Sequence, residues 1–313
     1  MSSVRPVVSV VIPIFNEQEC LPELWRRLKG VEEAIPQYGF EYIFVDDGSV
    51  DDSLNILREI ASLNPEVKVI SLSRNFGHDI AVTAGCDYAH GDLIVLMDGD
   101  LQDPPELITD MLRVYQDGYD VVYAKRRTRQ GESFIKLKGA QIFYWLVNKL
   151  SSVRMPENTS NFRLITRKVL KELQKMREHD PIIRGMVTWI GLRQKAIEFD
   201  RKPRFAGTTK YSPLRMIKLA ADGIVSLSNR PLHFATFWGV IFFAIMLVCF
   251  VLAFIYKNEH QVYAALSLIV SILFFIGAIE LFAIGIVGEY IARIHNNTRG
   301  RPLYIVSEEI NIQ

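Results

Sequence analysis

Short apolar runs alternate with amphipathic stretches over the first 126 residues of the chain. Runs rich in Val and Ile occur at Val7–Phe15, Tyr42–Val45, Val67–Leu72, Leu93–Met97 and Val121–Ala124. The stretches between these runs have the hydrophobic spacing of helices. Strand-like runs that alternate with helical segments are typical of βαβ units, in which a mostly parallel sheet is buried between helices. We therefore predict an α/β, Rossmann-like domain.

Two of the predicted helices begin with capping sequences. Asn16 followed by Glu19 matches a capping box. Asp103 is followed by Pro104 and, three residues on, by Glu106, which predicts that Asp103 is the helix cap and Pro104 the first helical residue. A capping role would leave Asp103 outside any ligand site.

The last third of the chain has a different pattern, because Leu232–Tyr290 is almost uncharged. Leu232–Tyr256 and Ala264–Gly288 are each about 25 residues long, so each helix would reach roughly 37 Å and cross a hydrocarbon core of about 30 Å. The connector Lys257–Tyr263 holds one lysine, whereas several arginines and lysines lie outside the two apolar runs. The positive-inside rule then predicts a two-helix transmembrane hairpin with both termini in the cytoplasm.

The flanks of this hairpin complete the predicted organisation. Pro213–Asn229 is amphipathic and fits either an interfacial helix on a membrane or a surface helix of the first domain. Glu280, in mid-span, is either a neutral packing residue or a contact for lipid or for another subunit. Small residues on one helical face favour a homo-oligomer. The predicted boundaries are 1–212 for the α/β domain, 213–230 for the juxtamembrane helix, 231–292 for two membrane helices and 293–313 for a cytoplasmic tail.

Composition removes several function classes. The 36 basic and 35 acidic residues give a net charge of +1, so nothing indicates nucleic acid as a partner. The three cysteines, Cys20, Cys86 and Cys249, lack the spacing of zinc ligands or of a disulfide framework. The chain has neither GxGxxG nor a P-loop. No signal peptide is recognised at the N-terminus, so the first domain is expected to stay in the cytoplasm. Together with the predicted hairpin, this predicts a protein of the inner membrane.

Polar residues follow the predicted strands, where open α/β sheets bind ligands. Asp98-Gly99-Asp100 follows a buried run, and in an extended chain Asp98, Asp100 and Gln102 would point the same way. Three oxygen ligands suit Mg²⁺ or Mn²⁺ together with substrate phosphates. The alternative is an acidic turn at a strand end. We favour a metal site because the sequence lies between a buried strand and a capped helix.

A second acidic segment, Asp46-Asp47-Gly48-Ser49, closes another predicted strand. One carboxylate could accept hydrogen bonds from a base or ribose, although Asp-Gly is also a turn dipeptide. Its combination with Pro13–Glu17 and Asp98–Asp100 favours a nucleotide site. The basic residues, which could hold an anion near a lipid surface or simply face lipid headgroups, are Arg126, Arg127, Lys136, Arg204 and Lys210.

Taken together, these motifs resemble the family 2 glycosyltransferases, and more narrowly the polyprenyl-phosphate glycosyltransferases, which include bactoprenol glucosyltransferases and dolichol-phosphate mannose synthases. The resemblance covers nearly the whole chain. The segments that carry it are Pro13–Glu17, Val45–Ser49, Leu72–Gly77, Asp98–Glu106, Asn161–Leu164, Gly288–Ile291 and Arg301-Pro302.

The resemblance implies a GT-A fold, a tetramer, and inverting transfer of one sugar, with UDP-glucose as the favoured donor, to a polyprenyl phosphate at the cytoplasmic membrane face. It implies that Asp98, Asp100 and Gln102 bind the metal. It also implies that Asn161, Arg204 and Lys210 belong, with Asp98 and Asp100, to the catalytic residues. The residues it implies for the nucleotide sugar are Pro13, Phe15, Glu17, Asp46 or Asp47, Arg74 and Arg126.

Two positions depart from the pattern. Relatives often have Asp where this chain has Asn161, and asparagine cannot act as a general base. An acceptor phosphate is already anionic, so we interpret Asn161 as a positioning residue. His78-Asp79 replaces a frequent Lys-Glu, and His78 either contacts the donor diphosphate or starts a helix, the latter being slightly favoured. The alternatives for the whole chain are a processive polysaccharide synthase and a non-catalytic nucleotide-sugar-binding membrane protein.

Overall fold

The computed structural model describes residues 5–127, 159–200 and 262–312, together with residues 238, 241, 243, 244 and 248. The chain divides into two compact units. The first contains the α/β domain and the C-terminal residues, and the second contains a long apolar helix. Arg204, Lys210, Lys136, the juxtamembrane helix and most of the first predicted membrane span lie outside the described residues.

The strands that the structure describes in the first unit are β1 Val7–Ile14, β2 Gly39–Asp46, β3 Val67–Leu72, β4 Leu93–Leu96, β5 Val121–Arg126, β6 Thr159–Thr166, β7 Gln194–Phe199 and β8 Val306–Ile310. They form one mixed eight-stranded sheet in the order β7-β5-β6-β4-β1-β2-β3-β8. Neighbours β3, β2, β1 and β4 are parallel, as predicted, and β5 is parallel to β7.

Helices cover both faces of this sheet. The helices that the structure describes in the first unit are α1 Leu21–Ala34, α2 Ser53–Leu63, α3 His78–Asp87, α4 Leu107–Gln116, α5 Arg167–Leu173 and α6 Ile183–Ile190. Alternate residues of the central strands serve the two layers: Tyr42 and Phe44 pack with α1, α2 and α4, whereas Ile43 and Val45 pack with α3, α5 and α6. Burial on both faces explains why these strands are continuous apolar runs.

The sheet differs from the prediction in two antiparallel strands, β6 and β8. β6 lies between β4 and β5 and is antiparallel to both, so the predicted fifth strand does not pair with the fourth. The α/β domain also contains β6, α5, α6 and β7, all after the last of the predicted strands. The predicted cytoplasmic tail contains β8, which pairs antiparallel with β3.

The second unit contains α7, which runs over Val262–Thr298 for 37 residues. Within it, Phe275–Thr298 is long enough to cross a membrane and includes an 18-residue stretch with a mean hydropathy of 1.8. The helix begins near the predicted Ala264 but continues ten residues past Gly288. Of the predicted hairpin, the described part of the chain therefore contains one candidate span, and the two-helix arrangement stays a prediction.

Candidate active site

Loops that follow β1 and β2 are joined at the carboxyl edge of the sheet. The Asn16 N–H donates to Ser49 Oγ over 3.0 Å, and Asn16 Oδ1 accepts the Val50 N–H over 2.8 Å. Asn16 has a φ of 56°. The predicted capping box is wrong, because α1 begins at Leu21 and has no side-chain cap. Asn16 instead uses its side chain to fasten the next loop.

Asp46 and Asp47, both buried, also build loops. Asp46 accepts the Ser49 N–H over 3.1 Å and the Ser71 hydroxyl over 3.0 Å. Asp47 accepts the N–H groups of Phe76 and Gly77 over 2.7 and 2.9 Å. Burial raises the pKa of Asp47, with the two backbone N–H groups acting in the opposite direction. A direct contact of either carboxylate with a nucleotide stays a prediction.

Gly48 brings the β2 and β3 loops into direct contact. Its φ is 68°, and a Cβ at this position would lie 2.6 Å from the carbonyl carbon of Arg74. The chain bends at Gly48, and both the positive φ and the close approach of Arg74 require glycine there. The Arg74 guanidinium is exposed and lies 4.0 Å from the Phe76 ring centroid.

Asp98 and Asp100 flank a turn at the end of β4. The strand ends at Leu96, and Leu101 has a φ of 57°. The extended alternation that we used to align Asp98, Asp100 and Gln102 is therefore wrong. The Gln102 N–H donates to Asp100 Oδ1 over 3.1 Å. The three side chains still belong to one short turn, whose curvature replaces the expected strand geometry.

Asp103 does not cap the following helix, contrary to the prediction. That helix, α4, begins at Leu107, because Pro104 and Pro105 form a turn to whose carbonyls Leu107 and Ile108 donate. Asp103 is buried and accepts a hydrogen bond from the Ser160 hydroxyl. It therefore ties the segment after the Asp98–Asp100 turn to β6.

The Asp98 carboxylate is held by residues from α3 and β6. His78 is the first residue of α3, as favoured, and its Nε2 lies 2.7 Å from Asp98 Oδ1. The Asn161 side chain also hydrogen-bonds to Asp98. Burial would lower the pKa of His78, but the charges of Asp98 and Asp79 outweigh it and raise that pKa well above its ordinary value. Burial acts to raise the pKa of Asp98, but His78, Asn161 and Arg184 lower it.

A small pocket that opens to solvent lies beside Asp98. Arg163 of β6 and Arg184 of α6 line it together with His78, Asp79 and Asn161. Neither arginine was predicted as a site residue. Arg163 follows the recognised Asn161-Phe162 pair, but nothing in the sequence indicated that α6 brings Arg184 to the same place.

The predicted site residues that the structure describes lie at the ends of β1, β2 and β5, in the first half of β6, or in the loops that follow the parallel strands. Arg126 ends β5, beyond β6 from the Asp98–Asp100 turn. The remaining predicted residues are the half-buried Glu17, Asn161 and Gln102, the exposed Phe15 and Arg74, and the buried Pro13, Asp46 and Asp47.

The donor set of the turn fits a hard divalent cation. Asp98 and Asp100 supply carboxylate oxygens, and Gln102 supplies an amide oxygen. Among the described residues no three His, Cys, Asp or Glu side chains form a metal-ligating group. Mg²⁺ sites in proteins commonly use one or two carboxylates together with substrate phosphates and water.

Comparison with known proteins decides the family. Residues 9–174 match the family model described as Glycosyl transferase family 2. An uncharacterized glycosyltransferase of Bacillus subtilis is 43% identical over 97% of this chain and 94% of its own length. This chain belongs to glycosyltransferase family 2. It is therefore a glycosyltransferase with a GT-A-like α/β fold and a mixed sheet, as the resemblance implied.

Two further family 2 relatives match almost from end to end. A prophage bactoprenol glucosyl transferase homolog of Escherichia coli is 37% identical over 96% of this chain and 98% of its own length. A bactoprenol glucosyl transferase of Shigella phage SfV is 36% identical over the same shares. Among solved structures, mannosyl-3-phosphoglycerate synthase from Rubrobacter xylanophilus matches 73% of this chain and 74% of its own, at 18% identity and a TM-score of 0.48.

Proposed function

We propose that this family 2 enzyme transfers a single sugar from a nucleoside diphosphate sugar to a polyprenyl phosphate at the cytoplasmic face of the membrane. The supporting observation is the similarity to bactoprenol glucosyl transferases over 96% of the chain, which includes the site loops and α7. Those relatives' printed names favour glucose, and UDP-glucose is the first donor to test.

The donor would lie over the loops that Asp46, Asp47 and Gly48 hold in place. Pro13, Phe15 and Glu17 are proposed to line the nucleotide pocket, with Asp46 or Asp47 at the base or ribose. Arg74, Arg126, Arg204 and Lys210 supply positive charge for phosphates.

Asp98, Asp100 and Gln102 would hold Mg²⁺ or Mn²⁺. A cation there would neutralise the charge that grows on the departing nucleoside diphosphate. His78 and Asn161 would orient the Asp98 carboxylate, as residues behind a metal ligand commonly do.

Transfer requires no side-chain nucleophile. An oxygen of the acceptor phosphate forms a bond to the anomeric carbon, the bond from that carbon to the donor β-phosphate oxygen breaks, and the configuration inverts. The acceptor oxygen is already ionised, so no general base is needed and Asn161 can act by positioning alone.

Membrane placement follows from α7 and the acceptor. We propose that the chain is an inner-membrane protein with two spans, both termini in the cytoplasm, and a homo-oligomeric, tetrameric assembly. A polyprenyl phosphate keeps its headgroup at the membrane surface, so a catalytic domain at the cytoplasmic face could reach it.

The test uses labelled UDP-glucose and undecaprenyl phosphate with the full-length protein. Wild-type protein should form a lipid-linked product that chelator abolishes, and Asp100→Ala should lower the rate by about 100-fold or more. Asp110→Ala is the matched control, because Asp110 is a half-exposed carboxylate of α4 that pairs only with Arg113 among the described residues. Undiminished transfer by Asp100→Ala would exclude the metal assignment.

A further inference from the structure

Arg163 and Arg184 both line the pocket beside Asp98. Neither forms an ion pair with a carboxylate among the residues that the structure describes. The pocket lies between α3, β6 and α6, with Leu96 and Met97 among its lining residues. The pocket opens to solvent, so it is a recess at the protein surface and not an enclosed cavity.

Arg163 brings a buried positive charge to this pocket. Its side chain is 4% exposed, and its Nε and Nη2 donate to the carbonyl oxygens of Asn161 and Ser160 over 3.0 and 3.2 Å. These acceptors are neutral, and Arg163 forms no ion pair with any residue that the structure describes. Burial, and then the charge of Arg184, lower the pKa of Arg163 to about 9. The folded protein thus holds a guanidinium where charge is unfavourable.

Arg184 adds a second, accessible charge to the same place. It lies in the first turn of α6, is exposed, and pairs with no carboxylate among the described residues at ion-pair distance. Asp79 and Asp98 partly offset the two guanidinium charges, but His78 lies against both carboxylates. Two positive charges that line one small pocket favour the binding of an anion there.

We propose that Arg184, with Arg163 behind it, binds a substrate phosphate group beside the Asp98 carboxylate. The guanidinium fork matches two phosphate oxygens, and the exposed Arg184 can form those bonds directly. Arg163 contributes charge and fixes the backbone at Asn161. The inference rests on the proposed function, which supplies two phosphate sources: the lipid acceptor and the donor diphosphate.

Substitution of Arg184 separates these sources. In the full-length protein, Arg184→Ala should weaken phosphate binding by about tenfold or more, and Arg184→Lys should restore part of the loss. A higher KM for undecaprenyl phosphate, with an unchanged Kd for UDP-glucose, assigns the site to the acceptor. The reverse pattern assigns it to the donor. Arg113→Ala, which removes a 74% exposed arginine of α4, is the matched control.

A binding measurement makes the result independent of turnover. Wild-type protein should bind farnesyl phosphate better than farnesol if the acceptor is the source, and Arg184→Ala should lose that difference. Arg163→Lys, which keeps the positive charge, is the variant to use at this position if other substitutions of the buried Arg163 prevent folding. If wild-type protein transfers sugar and Arg184→Ala keeps both the KM and the Kd, the phosphate site is wrong. If wild-type protein makes no lipid-linked sugar, the proposed function fails instead.

Discussion

At the scale of single residues, Asp47 and Gly48 join the loops that follow β2 and β3. Asp47 accepts two N–H groups from the β3 loop, and Gly48 lets the backbone of that loop approach closely. The same loop leads directly into His78, which contacts Asp98. A displacement at Gly48 would therefore reach the proposed metal ligand through a short series of contacts.

Gly48→Ala adds only one methyl group, but it should destabilise the loops of the site. The new Cβ would clash with the Arg74 backbone, and alanine is disfavoured at a φ of 68°. We expect a loss of about 1–3 kcal/mol in unfolding free energy and weaker donor binding, measured by thermal unfolding in detergent and by calorimetry with UDP-glucose. The control is Gly30→Ala in α1, where a Cβ meets nothing within 4 Å. It should stabilise the protein by about 0.5–1 kcal/mol. Equal effects at both glycines would contradict this account.

Glu41 should make stability depend on acid. Its buried carboxylate accepts hydrogen bonds from Ser9, Lys68, His90 and Gly91. Burial acts to raise the pKa of Glu41, but the Lys68 and Ser9 bonds and the His90 N–H lower it overall. A lowered pKa means that the stabilisation is complete above the ordinary value of about 4.3 and is lost as the pH falls through the folded-state value.

The substitution Glu41→Gln tests this pH dependence. It should reduce unfolding free energy at neutral pH by about 1–3 kcal/mol, since it removes a charge-assisted set of bonds. It should also flatten the fall in melting temperature between neutral pH and pH values below the ordinary pKa. Glu59→Gln, at an exposed carboxylate of α2, should leave the melting curve within about 0.5 kcal/mol of wild type. A pH profile unchanged by Glu41→Gln would refute the assignment.

The sequence pattern predicted that Asp98 and Asp100 follow a strand, but it did not predict their geometry. Asp98 and Asp100 could be placed because they follow a buried apolar strand. Their orientation could not, because the strand ends at Leu96 and the positive φ of Leu101 turns the chain. The partners of Asp98 lie 20 residues before it and 63 residues after it in the chain, at His78 and Asn161. Contacts at that separation depend on strand order, which local patterns do not encode.

At the scale of elements, β8 closes the sheet next to β3. Asn311, directly after β8, has a φ of 57° and donates to the carbonyl oxygens of Ala61 and Val67 over 2.8 and 2.9 Å. Tyr304, just before β8, donates to Asp87 over 2.8 Å. These bonds fix both ends of the strand, so the residues after α7 contribute directly to the α/β domain.

Asn311→Ala should therefore destabilise the α/β domain. It leaves backbone carbonyls without their donor and places alanine at an unfavourable φ, which should cost about 1–3 kcal/mol in unfolding free energy. Glu308→Ala removes only an exposed ion pair with Arg58 and should cost at most about 1 kcal/mol. Thermal unfolding compares the two variants. A smaller loss for Asn311→Ala than for Glu308→Ala would show that β8 is not anchored in this way.

Elements differed in how well their sequence patterns predicted them. The central parallel strands were located to within a few residues because burial on both faces makes them continuous apolar runs. β8 was missed because Val306–Ile310 is a short strand that contains Ser307, Glu308 and Glu309, as expected at a sheet edge. β6 was missed because Asn161 and Arg163 interrupt its apolar pattern at the site.

At the scale of the whole molecule, a nucleotide-sugar-type site and an apolar helix occur in one chain. α7 spans 37 residues, about 55 Å of helix, which exceeds a hydrocarbon core of about 30 Å. The relatives named bactoprenol glucosyl transferases share this arrangement in that they match 96% of the chain. The lipid phosphate that we propose as acceptor would use both parts of the molecule.

The most direct test is the mass of the lipid product. Full-length protein is incubated with UDP-glucose, a divalent cation and undecaprenyl phosphate, and the extracted lipid is analysed by mass spectrometry. We predict that the polyprenyl phosphate gains one hexose and no more, even with excess donor. A long polymer would indicate a processive synthase. Tight donor binding without any lipid-linked product, across a panel of nucleotide sugars, would contradict the proposed transfer.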